Sequence, residues 1–207
     1  MSSFTFYYGS MNAGKSGQLI QTAHSFQERN MHVVILKSSM DTRDGPGLVK
    51  SRVGGISKPC INFSADDNLS LIIKEQIRKL GKISCVLIDE AQFLTKEQVK
   101  SLAEIVDFDG INIYAYGLRT DAFGDLFPGS MYLLAFADSL RELNSLCHCG
   151  EHARMNLRYD AQGDVVTSGE QNEVGGNDRY IPLCRKHWLQ AHRSKRIPEQ
   201  ALFRKVA

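Results

Sequence analysis

The chain has 207 residues, 43% of them hydrophobic and 23% charged, with a formal charge of +2. Those values suit a globular protein of one domain, or one domain with a small appendage, and exclude a mainly disordered chain. No apolar run approaches the ~20 residues of a membrane-spanning helix, and Met1 to Ser10 is not expected to be a secretory signal. The charge is unevenly spread: residues 185–207 hold seven Lys or Arg against Glu199 alone, whereas 1–184 hold 18 against 22 Asp or Glu. A basic end of that kind serves either nucleic acid or solvent, and solvent is the expectation.

In chain order, Phe4 to Tyr8 reads as a short strand of aromatics and Thr. A Gly-bearing loop, Gly9 to Ser16, leads into a helix from Lys15 to about Glu28, with Leu19, Ile20, Ala23 and Phe26 on one face. His32 to Lys37 reads as a buried strand. Ser38 to Asn62 reads as a loop or hairpin excursion. Leu69 to Leu80 has helical spacing. Cys85 to Ile88 is a second buried strand, ending in Asp89 and Glu90. Thr95 to Gln98 is a capping box opening a helix to about Val106. Ile111 to Tyr116 is a third strand, Gly117 to Ser130 a loop, and Met131 to Ala137 a further apolar element. Strands alternating with helices predict a mainly parallel sheet covered on both faces.

Gly9, Ser10, Met11, Asn12, Ala13, Gly14, Lys15 and Ser16 satisfy G-x-x-x-x-G-K-[ST], with a strand before and a helix after. Backbone N–H groups of such a loop, with the helix N-terminus, wrap a phosphate. Lys15 is expected to bridge the β- and γ-phosphates, and Ser16 to ligate Mg²⁺. Asp89 closes an apolar strand, where a Mg²⁺-facing carboxylate belongs. Glu90 then points elsewhere and is the candidate base for an attacking oxygen. These residues specify Mg-nucleotide phosphoryl chemistry. They leave the acceptor open between water, as in an ATPase, and a second substrate, as in a small kinase; chain length favours the kinase.

The five cysteines are Cys60, Cys85, Cys147, Cys149 and Cys184, an odd count that argues against a disulfide framework. Cys147 and Cys149, with Cys184 and His187 in a C-x-x-H pair, suit a closed tetrahedral Zn²⁺ site tying off residues 150–183 as a loop. The C-x-C spacing leaves His148 and His152 as alternative ligands, with the first four preferred. Cys85 is expected in the core. A zinc-ribbon nucleic-acid protein using the basic end is the rival binding-module reading, disfavoured by the phosphate loop.

Phe6 to Ser16, Asp41-Thr42-Arg43, Asp89-Glu90-Ala91-Gln92-Phe93, Tyr116 to Asp121, and Gly175 to Tyr180 before Cys184 occur in an order that resembles the type II thymidine kinases, with a C-x-C found in some bacterial members. The resemblance implies a RecA-like P-loop kinase domain over 1–146, a zinc-bound lasso domain over 147–190 and a basic tail over 191–207. It implies transfer of the ATP γ-phosphate to the 5′-hydroxyl of thymidine, in deoxynucleotide salvage, by a cytoplasmic homotetramer. Glu90 matches the family's base. Arg43, Asp89, Ala91 and Gln92 match its ATP site. Phe93, Leu118, Phe127, Val174, Gly175 and Tyr180 match its nucleoside pocket, part of it on the lasso. Neither a membrane nor an obligate nucleic-acid partner is implied.

Overall fold

The structure, a computed structural model, describes residues 2–43, 45–171, 179–198 and 201. Strand β1 (Phe4–Tyr8) runs into the phosphate loop and helix α1 (Lys15–Gln27), and β2 (His32–Ser38) follows. An excursion then makes an antiparallel hairpin of β3 (Leu48–Lys50) and β4 (Ser57–Pro59), followed by β5 (Ile61–Phe63). Next come α2 (Leu69–Leu80), β6 (Ile83–Asp89), a single 3-10 turn at Ala91–Phe93, α3 (Lys96–Asp109), β7 (Asn112–Gly117), α4 (Pro128–Phe136) and β8 (Ser139–Glu142). The main sheet has the order β5-β2-β6-β7-β1-β8, and every pairing in it is parallel.

Pleating divides this sheet between two cores. On β6, Val86 and Ile88 face α2, α3 and α4, packing with Phe4, Phe6, Ile73, Leu102 and Leu133. Cys85 and Leu87 face the other way, onto Leu19, Ile20 and Ala23 of α1. Alternate residues of a buried strand thus serve opposite layers, which is why these strands read as unbroken apolar runs. Each such side chain contributes about 1.5–3 kcal/mol on burial. The RecA-like α/β class is therefore observed, with the phosphate-loop strand β1 and the acidic strand β6 flanking β7.

Three local signals set the helix starts, and the first, the capping box at Thr95, is the one expected from the sequence. Thr95 caps α3 by accepting from the Gln98 N–H, and the Gln98 side chain accepts from the Thr95 N–H. Asn68 caps α2, accepting from the Leu71 N–H. Pro128 starts α4 at its first position, where the missing N–H costs nothing. That helix takes in the end of the expected Gly117–Ser130 loop. Two edge strands, β5 and β8, carry no local signal; their three and four residues become strands by pairing with β2 and β1.

The remainder forms a smaller lobe. Strand β9 (Ser145–Leu146) pairs with β10 (His152–Ala153), β11 (Met155–Arg158) pairs with β12 (Tyr180–Leu183), and α5 (Arg185–Ser194) follows. Leu157, Ile181, Leu183 and Ala191 make its small core. Helix α5 runs past residue 190 and buries Ala191, and Ala201 is buried beyond it, while the basic side chains Arg185, Lys186, Arg193, Lys195 and Arg196 are exposed to solvent. Among the described residues no helix is long and apolar enough to cross a membrane.

Candidate active site

In a parallel sheet all strand C-termini open on one edge, and ligands bind there. Strands β1, β6 and β7 bring the phosphate loop, Asp89 and Gly117 to that edge. Gly9 admits the close turn: a Cβ there would lie 2.5 Å from the Leu143 carbonyl oxygen. Gly14 takes a left-handed φ of 79° as it opens α1. Lys15 folds across the loop, its Nζ donating to the Ser10 carbonyl at 2.7 Å. Burial lowers its pKa to about 8, against the opposing pull of Glu90 and Asp89. The Ser16 hydroxyl donates to Asp89 Oδ2 at 3.0 Å. Burial, and then the Glu90 charge, raise the Asp89 pKa to about 7. A hydroxyl and a carboxylate this close are oxygen donors of the kind Mg²⁺ takes, so both residues fit that ion.

Glu90 leaves the strand in a left-handed conformation, φ 53°. For a non-glycine residue that costs on the order of 1–3 kcal/mol and is characteristic of functional sites. The sharp turn, rather than simple strand alternation, sends its carboxylate away from Asp89. There Glu90 Oε1 accepts from Arg43 Nη2 at 2.5 Å and Oε2 accepts from Gln92 Nε2 at 2.6 Å. Arg43 also donates from Nε to Asp41 Oδ1 at 2.5 Å. Gln92 is buried, and its Oε1 accepts the Leu118 N–H at 3.0 Å, which ties Glu90 to the loop after β7. Ala91 is buried in the same turn.

A cleft of about 480 Å³ joins these parts, with Lys15, Ser16, Arg43, Glu90 and Leu118 among its lining. Lys50 and Arg52 of the β3–β4 hairpin line it too, and Arg52 Nη1 donates to Asn12 Oδ1 at 3.0 Å. Sequence reasoning missed both; the available signal was that Lys50 and Arg52 stand two residues apart in a Gly- and Ser-rich excursion that also carries Arg43. Outside that lining, Phe93 and Phe127 meet edge to face, ring centroids 6.0 Å apart. Tyr180 opens β12 opposite Arg158. Val174 and Gly175 lie outside the described residues.

The smaller lobe leans on the phosphate loop directly. Ser10 Oγ donates to the Ala153 carbonyl at 2.9 Å, and the Met11 N–H donates to Asn156 Oδ1 at 2.8 Å. Trp188 Nε1 donates to the Ala122 and Asn156 carbonyls. At the lobe's base the ligand atoms of Cys147, Cys149, Cys184 and His187 all lie within 4.8 Å of one another. Cys149 and Cys184 Sγ are 4.0 Å apart, and His187 Nδ1 is 3.5 Å from Cys147 Sγ and 3.2 Å from Cys184 Sγ. A tetrahedron with ~2.3 Å zinc–sulfur bonds has its sulfurs about 3.8 Å apart. Donor chemistry and spacing both fit Zn²⁺. Cys184 is the residue before α5 and His187 lies in its first turn, so one helix start presents both ligands. His148 lies against His187 with the two rings tilted at 46°, its Nδ1 3.5 Å from Cys147 Sγ, outside the four-ligand cluster.

A family model described as thymidine kinase matches residues 2–188. A thymidine kinase of Legionella pneumophila (strain Lens) is 47% identical over 205 residues, covering 99% of this chain and 98% of its own. That of Idiomarina loihiensis is 47% identical over 191 residues, covering 92% and 98%. That of Rhizobium meliloti is 50% identical over 189 residues, covering 91% and 96%. Among solved structures, the Pif1 helicase from Candida albicans is similar at a TM-score of 0.42 and 15% identity, over 72% of this chain and 37% of that one. With a family match over nearly its whole length and relatives this close, the chain belongs to the thymidine kinase family.

Proposed function

We infer that this chain is an ATP-dependent thymidine kinase, moving the γ-phosphoryl group of ATP to the 5′-hydroxyl of thymidine to give thymidine 5′-phosphate and ADP. Family membership supplies the reaction, and one observation carries the site: Glu90, turned out of β6 and held by Gln92 and Arg43, stands beside a complete phosphate loop. Such transfer proceeds by positioning and charge neutralisation more than by covalent chemistry.

In this reading the loop from Gly9 to Ser16 cradles the phosphates through its N–H groups. Lys15 and Arg43 neutralise charge on the transferring group, with Asp89, Ala91 and Gln92 completing the ATP side. Ser16 and Asp89 would hold Mg²⁺, which would supply charge neutralisation at the phosphates. Arg43 is paired with Glu90 here. Incoming phosphates compete for that guanidinium and leave the carboxylate to accept the 5′-hydroxyl proton. Phe93, Leu118 and Phe127 line the nucleoside pocket, with Val174, Gly175 and Tyr180 closing over it from the lasso. Cys147, Cys149, Cys184 and His187 hold a structural Zn²⁺ at the lasso's base. The same reading divides the chain into a kinase domain (1–146), a lasso domain (147–190) and a basic end (191–207), and makes it a cytoplasmic homotetramer.

Glu90→Gln tests the base. It keeps the shape and a hydrogen-bonding oxygen but cannot take a proton, so ATP binding should persist while turnover falls by about 10²–10⁴-fold. Turnover near that of the unaltered enzyme removes Glu90 from the role. A screen of thymidine, deoxycytidine, deoxyadenosine and deoxyguanosine with ATP and Mg²⁺ tests the substrate. Phosphorylation of the others but not of thymidine overturns it.

A further inference from the structure

Lys37 has no part in the site as drawn so far, yet its environment is unusual. It is the next-to-last residue of β2 and is fully buried, at 0% exposure. A lysine buried this deeply is costly unless its ammonium is paired and hydrogen-bonded. Its Nζ lies 3.0 Å from Asp41 Oδ2 and donates to the Leu48 carbonyl at 3.2 Å. Those two acceptors belong to two different parts of the phosphate side. Asp41 is the carboxylate that holds Arg43, and Leu48 is the first residue of the hairpin that carries Lys50 and Arg52 into the cleft.

We propose that Lys37 is a positioning residue for ATP, acting through Asp41 on Arg43 and through the Leu48 carbonyl on the β3–β4 hairpin. The proposal rests on the kinase reading above and adds to it the hub that sets the phosphate-facing cations. Charge alternates along the chain Lys37, Asp41, Arg43, Glu90, each contact between 2.5 and 3.0 Å. Burial pushes the Asp41 carboxyl up, but hydrogen bonds and charge from Arg43 and then Lys37 outweigh it and hold the pKa below the usual carboxylate range. Asp41 thus stays an anion with each oxygen committed to one cation. Without the ammonium, Asp41 Oδ2 becomes available to the guanidinium, and Arg43 can rotate off the direction of the cleft. The hairpin base loses its internal anchor at the same time.

The test uses the full chain and compares Lys37→Met, Asp41→Asn and the double variant. The readouts are fluorescent-ATP affinity with Mg²⁺, KM for ATP and for thymidine, kcat and the unfolding midpoint. Lys37→Met should weaken ATP binding by at least about tenfold, as expected for loss of charge-assisted contacts. KM for thymidine should stay within about twofold, since Lys37, Asp41 and Arg43 are not among the residues assigned to the nucleoside pocket. The double variant should match Lys37→Met within about twofold, because residues acting in one relay are not additive. If Lys37→Met does not fold, the double variant, free of an uncompensated buried carboxylate, is read in its place and should show the same tenfold loss. Unchanged ATP affinity with only a lower midpoint makes Lys37 a structural residue and overturns the proposal, as do fully additive losses. The direct binding measurement separates it from the kinase reading, which fails instead if the unaltered protein binds ATP but phosphorylates no nucleoside.

Discussion

Gly129→Ala sets two effects of opposite sign against each other. Gly129 is the second residue of α4, and alanine there improves helix propensity by up to about 1 kcal/mol. The added Cβ, however, would meet the Gln92 and Leu94 carbonyl oxygens at 2.6 Å each and that of Ala91 at 2.9 Å. Ordinary contact begins near 3.4 Å, so α4 and the 3-10 turn must separate by about 0.8 Å. The opposing atoms are backbone in a buried turn and cannot swing aside as a side-chain tip would. Overpacking of this kind costs about 1–3 kcal/mol. The clash exceeds the propensity gain, and the net loss should be about 1–2 kcal/mol. For a chain of this size that lowers the unfolding midpoint by roughly 2–8 °C. The turn carries Gln92, which holds Glu90 and Leu118, so kcat should fall as well. Thermal unfolding followed by circular dichroism, with steady-state kinetics on the same sample, reads both. A midpoint at or above that of the unaltered protein would show that α4 and the turn are not in tight contact.

Further expectations concern the lobe and α3. The protein should carry about one zinc per chain, and Cys184→Ser should lose it; full zinc content in that variant would exclude Cys184 as a ligand. Chelating the metal should also weaken ATP binding, because Ser10 and Met11 of the phosphate loop are hydrogen-bonded to Ala153 and Asn156 of the lobe. ATP affinity indifferent to zinc removal would show that those contacts do not support the loop. Thr95→Ala should cost about 0.5–2 kcal/mol by removing one half of the capping box, measured as a lower urea midpoint. An unchanged midpoint would mean that the cap is not limiting for α3.

Among the elements, the chain's own signals were strongest where a few neighbouring residues decide the outcome. The phosphate loop needs its glycines at set spacing, the Thr95 cap needs Gln98 three residues on, and helix α2 was read to its observed bounds. Asp89 and Glu90 were legible as a pair, but the reason for their divergence was not. It is the left-handed turn at Glu90, held open because Gly117 and Gly129 lack side chains where the turn packs. Nothing near Glu90 in sequence announces those two glycines.

Strands β5 and β8 were missed for a related reason. A three- or four-residue segment becomes a strand only when a partner edge receives it, and β1 and β2 are supplied from far along the chain. The hairpin cations Lys50 and Arg52 and the hub Lys37 share that character. Arg43 meets Glu90 across 47 positions of sequence, and Lys37 meets Leu48 across 11. Composition and motif spacing therefore determined the phosphate loop, the candidate metal-ligand pairs and the α/β class, because each of those depends on residue types at short range. Which cations face the cleft, and what orients the Glu90 carboxylate, were decided only when the parallel sheet brought distant loops to one edge.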